Sequence, residues 1–225
     1  DIAFCCTACE YIALIDADDF KALYQNAQNE LFFGCGKITD VLLSAGIHPL
    51  EHMDNVPQFY GSFGQEETYI IPDSIDKITK DAFFSCNLKY IHIPKMCTRI
   101  MSCAFEDCDN LTSVTIDEGI VYIGEKAFKE CKSLRSITLP NSLETLGSGV
   151  FKACKSLGDI TIPPSIKFLR EDTFFDAHID KLILPNTLTY IYKNAFKRCT
   201  IDELVFNAPS NLQIESGNEV LEVLL

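Results

Sequence analysis

The chain has 225 residues, 47% of them hydrophobic and 23% charged, and a net charge of −13. A chain this apolar can bury enough surface to offset its conformational entropy, which excludes a disordered protein. No run approaches the ~18 apolar residues of a membrane span, and the acidic balance disfavours nucleic acids and anionic bilayers as partners.

Residues 1–65 come first and are the least regular. Ala3-Phe4 precedes Cys9-Ile12-Leu14, and Phe32 with Cys35 precedes Ile38-Val41-Leu43. These spacings match those of the later chain, so one reading is a set of degenerate repeats with insertions at 16–19 and 52–57 and helical stretches on the convex side. The other is a helical N-terminal cap, because Asp18-Asp19 before Phe20-Lys21-Ala22-Leu23 has the form of a capped helix start. Cys6 and Cys9 form a C-x-x-C, but no second ligand pair accompanies them. His48 and His52 are four apart, with Pro49 between them to break the helix that spacing would need. Gly34-Cys35-Gly36-Lys37 lacks both the upstream glycine and the Ser or Thr of a phosphate loop.

From residue 66 the chain repeats. Phe83, Phe105, Phe128, Phe151, Phe174 and Phe196 follow one another at steps of 22, 23, 23, 23 and 22. Three residues after each Phe stand Cys86, Cys108, Cys131, Cys154, Ala177 and Cys199. An apolar triplet follows, as in Leu88-Ile91-Ile93 or Leu134-Ile137-Leu139, and Pro94, Pro140, Pro163 and Pro185 close four of these. The triplet predicts a short strand with its apolar side chains inward, and proline ends it because proline cannot continue a ladder. A further apolar pair, such as Leu143 and Leu146, returns the chain to the next Phe. One such coil cannot bury its own apolar face, so successive coils stack around a shared core.

Residues 134–154 read LRSITLPNSLETLGSGVFKAC. This unit resembles the leucine-rich repeat of the BspA-like, or Treponema-type, class. The resemblance is close over residues 66–215, and 216–225 read as a partial C-terminal repeat. It implies an α/β leucine-rich-repeat solenoid, right-handed, with one parallel β-strand per 22–23-residue coil. It also implies a non-catalytic interaction or adhesion module of a secreted or cell-surface protein, taking a host or matrix protein as ligand. Two alternatives stand beside it: an intracellular (cytoplasmic) scaffold, which the many free cysteines favour, and the repeat region of a larger protein with an enzyme domain elsewhere. Both ends fall inside a repeat, so the native chain is expected to continue on at least one side or its ends to pack on something else.

The Phe and Cys slots are expected to be buried, with the cysteines reduced and behaving as small hydrophobes. The hydroxyls of Ser74, Ser142, Ser165 and Thr187, just past the strands, are expected to bond nearby backbone locally. No nucleophile–base–orienter set emerges, and no catalytic residue, metal site or cofactor is expected; His178 reads as a coil-turn residue. The strand positions between the apolar slots face outward in columns and form the candidate binding surface. Lys89, Tyr90 and His92 mark one end and Arg135 the middle. Asp159, Asp180, Lys181, Ile183, Asp202, Glu203 and Val205 mark the other, where apolar contact beside acidic charge suits a protein partner.

Overall fold

The computed structural model describes residues 68–71, 76–78, 80–86, 88–218 and 220–221. The expected coils or cap within 1–65, with the Cys6–Cys9 and His48–His52 pairs, lie outside the described residues, as does Ser74.

Each triplet forms the expected strand. β1 (Thr68–Ile70), β3 (Tyr90–Ile93), β5 (Ser113–Ile116) and β7 (Ser136–Ile137) pair in parallel in that order, and β9 (Leu157–Thr161), β11 (His178–Leu184) and β13 (Thr200–Phe206) form a second parallel group. The register steps by one coil, with Tyr90 opposite Ser113 and Ser113 opposite Ser136. The two groups are joined where the Gly158 N–H donates to the Arg135 carbonyl at 3.0 Å. A side chain at Gly158 would put its Cβ 2.7 Å from that oxygen. The break coincides with the widest ring spacing in the core, 6.0 Å between Phe128 and Phe151.

The expectation of one strand per coil needs correction. The returning apolar pairs form a second parallel ladder of two-residue strands: β2 (Lys77–Ile78), β4 (Arg99–Ile100), β6 (Tyr122–Ile123) and β8 (Thr145–Leu146), then β10 (Phe168–Leu169), β12 (Tyr190–Ile191) and β14 (Gln213–Ile214). Between the two sides the chain turns at the prolines. Cys97, Leu143, Ile166 and Leu188 each donate an amide to the carbonyl of the proline three residues before, at 3.0–3.2 Å.

The helical half of an α/β fold is not found in the described convex arms either. Each arm carries two left-handed residues four apart: Asp81 and Ser85, Cys103 and Asp107, Lys126 and Glu130, Gly149 and Ala153, Asp172 and Asp176, Asn194 and Arg198. Left-handed residues recurring at this interval prevent any helical run. Instead, alternate amides point along the solenoid. Asp81, Phe83 and Ser85 donate to the carbonyls of Ser102, Ala104 and Glu106 in the next coil, at 3.1, 2.7 and 2.8 Å, and the pattern recurs coil after coil.

The core is a stack of like residues. The six phenylalanines are buried, with near-parallel rings 5.0–6.0 Å apart. None of the described cysteines forms a disulfide. In the column, Cys108, Cys131 and Cys154 donate their S–H to the carbonyls of Phe83, Phe105 and Phe128 in the preceding coil, at 3.0–3.1 Å. The post-strand hydroxyls also reach across coils, not locally as expected: Ser142 donates to the Ile120 carbonyl, Ser165 to that of Leu143 and Thr187 to that of Pro164. Among the described residues no helix is long and apolar enough to cross a membrane.

Candidate functional site

The outward positions of the triplet strands lie in columns because parallel pairing without slippage keeps like positions side by side. At the N-terminal end of the described face, the Lys89 ammonium sits 5.3 Å from the Tyr90 ring, and Tyr90 is 37% exposed. His92 is tied down, its Nε2 lying 3.1 Å from the Asp117 carboxylate at the end of the neighbouring strand. Arg135 stands exposed beside Ser136 and Thr138, one coil from Asp159 and two coils from Lys89.

The other end is denser. Lys181 lies between Asp159 and Glu203 in register. Its Nζ is 2.6 Å from the Glu203 carboxylate, and that bond raises the lysine pKa above its ordinary value. Ile183 stands between Thr161 and Val205 in register, half-buried, while Val205 is 44% exposed. Asp180 and Asp202 are exposed on the same face. The structure therefore gathers Asp159, Asp180, Lys181, Ile183, Asp202, Glu203 and Val205 into one patch on β9, β11 and β13. Lys89, Tyr90 and His92 form a separate group on β3.

Two features were not anticipated from sequence. His178 lies in β11 and not in a turn, with its ring against the same acidic end. The second ladder also presents an outward column: Lys77, Arg99, Tyr122 and Thr145, then Phe168, Tyr190 and Gln213. Arg99 lies 5.6 Å from the Tyr122 ring, and Phe168 is 46% exposed. The signal for this column is the residue before each second apolar slot, but it becomes a surface only when the two-residue strands pair.

Several of the described cysteines are held as thiols. Burial pushes the thiols of Cys154 and Cys199 up to about 12 and that of Cys97 to about 11. Cys103 is less enclosed, but desolvation and then the Glu106 carboxylate raise it to about 12 as well.

Stacked coils, a strand-built face and a like-residue core define a leucine-rich repeat solenoid. The chain belongs to the family described as the BspA type leucine rich repeat region, which it matches in six copies over residues 3–112, 54–179 and 102–217. Among solved structures, it resembles a leucine-rich repeat protein from Eubacterium ventriosum, with 19% identity and a TM-score of 0.55, over 71% of this chain and 49% of that one. It is also similar to a leucine rich cell surface protein from Faecalibacterium prausnitzii, with 26% identity and a TM-score of 0.47, over 62% of this chain and 48% of that one. A T. pallidum leucine rich repeat protein gives 21% identity and a TM-score of 0.48, over 72% of this chain and 84% of that one. The chain thus spans about half the length of the first two. No curated protein matches it.

Proposed function

We propose that this chain is a non-catalytic protein-binding module of a cell-surface or secreted adhesion protein, with its ligand a host or matrix protein. On this reading the solenoid is right-handed, as parallel crossovers nearly always are, and residues 1–65 are degenerate coils of the same array. The observation that carries the proposal is a contrast within one chain. The inward slots repeat the same residues from coil to coil, while the outward columns of β9, β11 and β13 change from Thr161 to Ile183 to Val205 and from Asp159 to Lys181 to Glu203. Packing holds the first set constant, and the second is free to specialise. Repeat solenoids use such extended faces as binding surfaces.

The test is capture of the purified chain on a panel of immobilised extracellular matrix proteins. Exposed apolar side chains beside charge are the usual anchors of a protein interface, so Ile183→Asp with Val205→Asp should abolish capture. Because one of the pair is half-buried, Val205→Asp alone is run beside it and should weaken capture with less than about 0.5 kcal/mol of stability lost. Capture that survives both, and fails only when Phe168 and Tyr190 on the second ladder are replaced, would move the site to the opposite side.

The free thiols support a second reading, an intracellular scaffold, since unpaired cysteines persist best in a reducing compartment. The compartment of the tagged full-length protein in its native cell separates the two.

A further inference from the structure

The acidic end of the strand face contains a cluster in which His178, not part of the proposed protein-binding patch, joins two of its carboxylates. His178, Asp180 and Asp202 each bring one nitrogen or oxygen to within 4.8 Å of the others. His178 Nε2 is 3.5 Å from the Asp180 Oδ1 and 3.9 Å from the Asp202 Oδ2. We propose that these three side chains form a surface site for a divalent transition ion of the zinc type, with the remaining coordination positions open to solvent.

Three observations converge. The first is backbone placement. His178 and Asp180 are two apart on β11, on its outward side, and Asp202 is on β13, which pairs with β11 in register on both sides of it. No loop has to move to assemble the three. The second is ring orientation. The other ring nitrogen, Nδ1, lies 2.8 Å from the Thr200 hydroxyl directly across the ladder. A partner on the far nitrogen fixes the ring orientation in histidine metal sites, and in the tautomer whose Nδ1–H donates to Thr200 the Nε2 lone pair is available beside both carboxylates. A cation at that point is attracted by both carboxylates and takes the Nε2 lone pair as a ligand. The third is space. The position beside Asp180 in the preceding coil is Gly158, which has no side chain to reach over the Asp180 carboxylate; a Cβ there would stand 4.0 Å from its Oδ2.

The dimensions favour a small ion. Ligand atoms at the usual ~2.0–2.1 Å from a tetrahedral zinc stand about 3.3 Å apart. The two imidazole–carboxylate distances already approach that figure. An imidazole with two carboxylates suits zinc and its transition-metal neighbours, whereas calcium and magnesium prefer all-oxygen shells. Lys181, the nearest cationic side chain on the strand, is engaged by Glu203 and does not neutralise the pair. The site stands whether or not the face binds a protein.

The test is titration of zinc chloride into the folded chain after its accessible thiols have been alkylated, so that cysteines do not compete. The readouts are calorimetry and the His178 ring proton resonances, assigned by their loss in His178→Ala. One equivalent should bind with a dissociation constant on the order of micromolar and shift those resonances to saturation. Asp180→Asn with Asp202→Asn should weaken binding more than about tenfold, and Thr200→Val by about tenfold, the effect of losing an outer partner. Resonances that stay put up to millimolar zinc would overturn the site. So would equal stoichiometry and affinity in wild type and the double variant. An equal response to calcium would overturn the imidazole-ligated assignment.

Discussion

The cysteine column shows how little a side chain needs to do in this core. Cys108, Cys131 and Cys154 each fill a small apolar slot and lend their S–H to a carbonyl of the preceding coil, and Ala177 fills the same slot without that bond. Cys154 makes the consequence measurable. Its thiol is pushed from 9.0 to about 12 by burial, so the folded chain holds a proton that the unfolded chain releases. The stability this contributes is fully present below about pH 9, and it is lost as pH rises from about 9 towards 12. Over that window one such thiol can steepen the loss by up to about 1.4 kcal/mol per pH unit. Cys154→Ala should therefore cost only about 1 kcal/mol at neutral pH, roughly the worth of one hydrogen bond. The Phe128 carbonyl still accepts from the Cys131 amide. The variant should also flatten the alkaline limb of denaturant midpoint against pH. An unchanged limb would mean that the thiol is not protonated in the way its burial implies.

At the level of the element, the convex arm is a compromise between coil stacking and local conformational preference. Pointing alternate amides at the next coil requires a left-handed residue twice per coil, and eleven of these are not glycine. Ala153 is the plainest case, with φ 60° and its amide donating to the Phe175 carbonyl at 2.8 Å. Glycine keeps that bond and removes the strain on Cβ, so Ala153→Gly should raise stability by about 1 kcal/mol, where glycine in a regular element would lower it. A lower midpoint in urea would show that the left-handed turn is not fixed there. This arm also marks where sequence reading runs out. The triplet strands, the Phe spine and the outward columns were legible, because inward and outward positions alternate by residue type. The arm's backbone was not: Asp, Lys, Ala and Arg occupy left-handed positions without advertising them, as glycine would. The second ladder was legible as buried pairs, but two residues become strands only through their neighbours above and below. His178 was missed because strand β11 runs longer than its apolar triplet, which begins only at Ile179.

For the whole molecule, stability is a sum of coil interfaces, and among the described coils the one carried by β13 and β14 is the least buried. Its apolar residues Ile201, Leu204, Phe206, Leu212 and Val220 are only partly buried, while their counterparts Ile179, Leu182 and Leu184 are buried. In such arrays the less buried coils open at the lowest free energy. Asn218 limits this. In the inner coils the Phe amide donates to a backbone carbonyl of the next coil, as Phe174 does to Ala195 at 2.7 Å. At Phe196 the acceptor is the Asn218 side-chain oxygen, at 2.9 Å, while its Nδ2 donates to the carbonyls of Tyr192 and Glu215 at 3.0 and 2.7 Å. One buried amide thus replaces backbone at the place where the repeat pattern lapses. Asn218→Ala leaves the buried Phe196 amide without an acceptor, at a cost of about 1–3 kcal/mol. That loss should stay local. Hydrogen exchange of the folded variant should show the Asn194 and Phe196 amides losing protection by up to about a hundredfold, the same free energy read as an opening constant, with Phe105 and Phe128 unchanged. Equal loss of protection at all four amides would mean that the coils open as one cooperative block and that Asn218 supports the entire array.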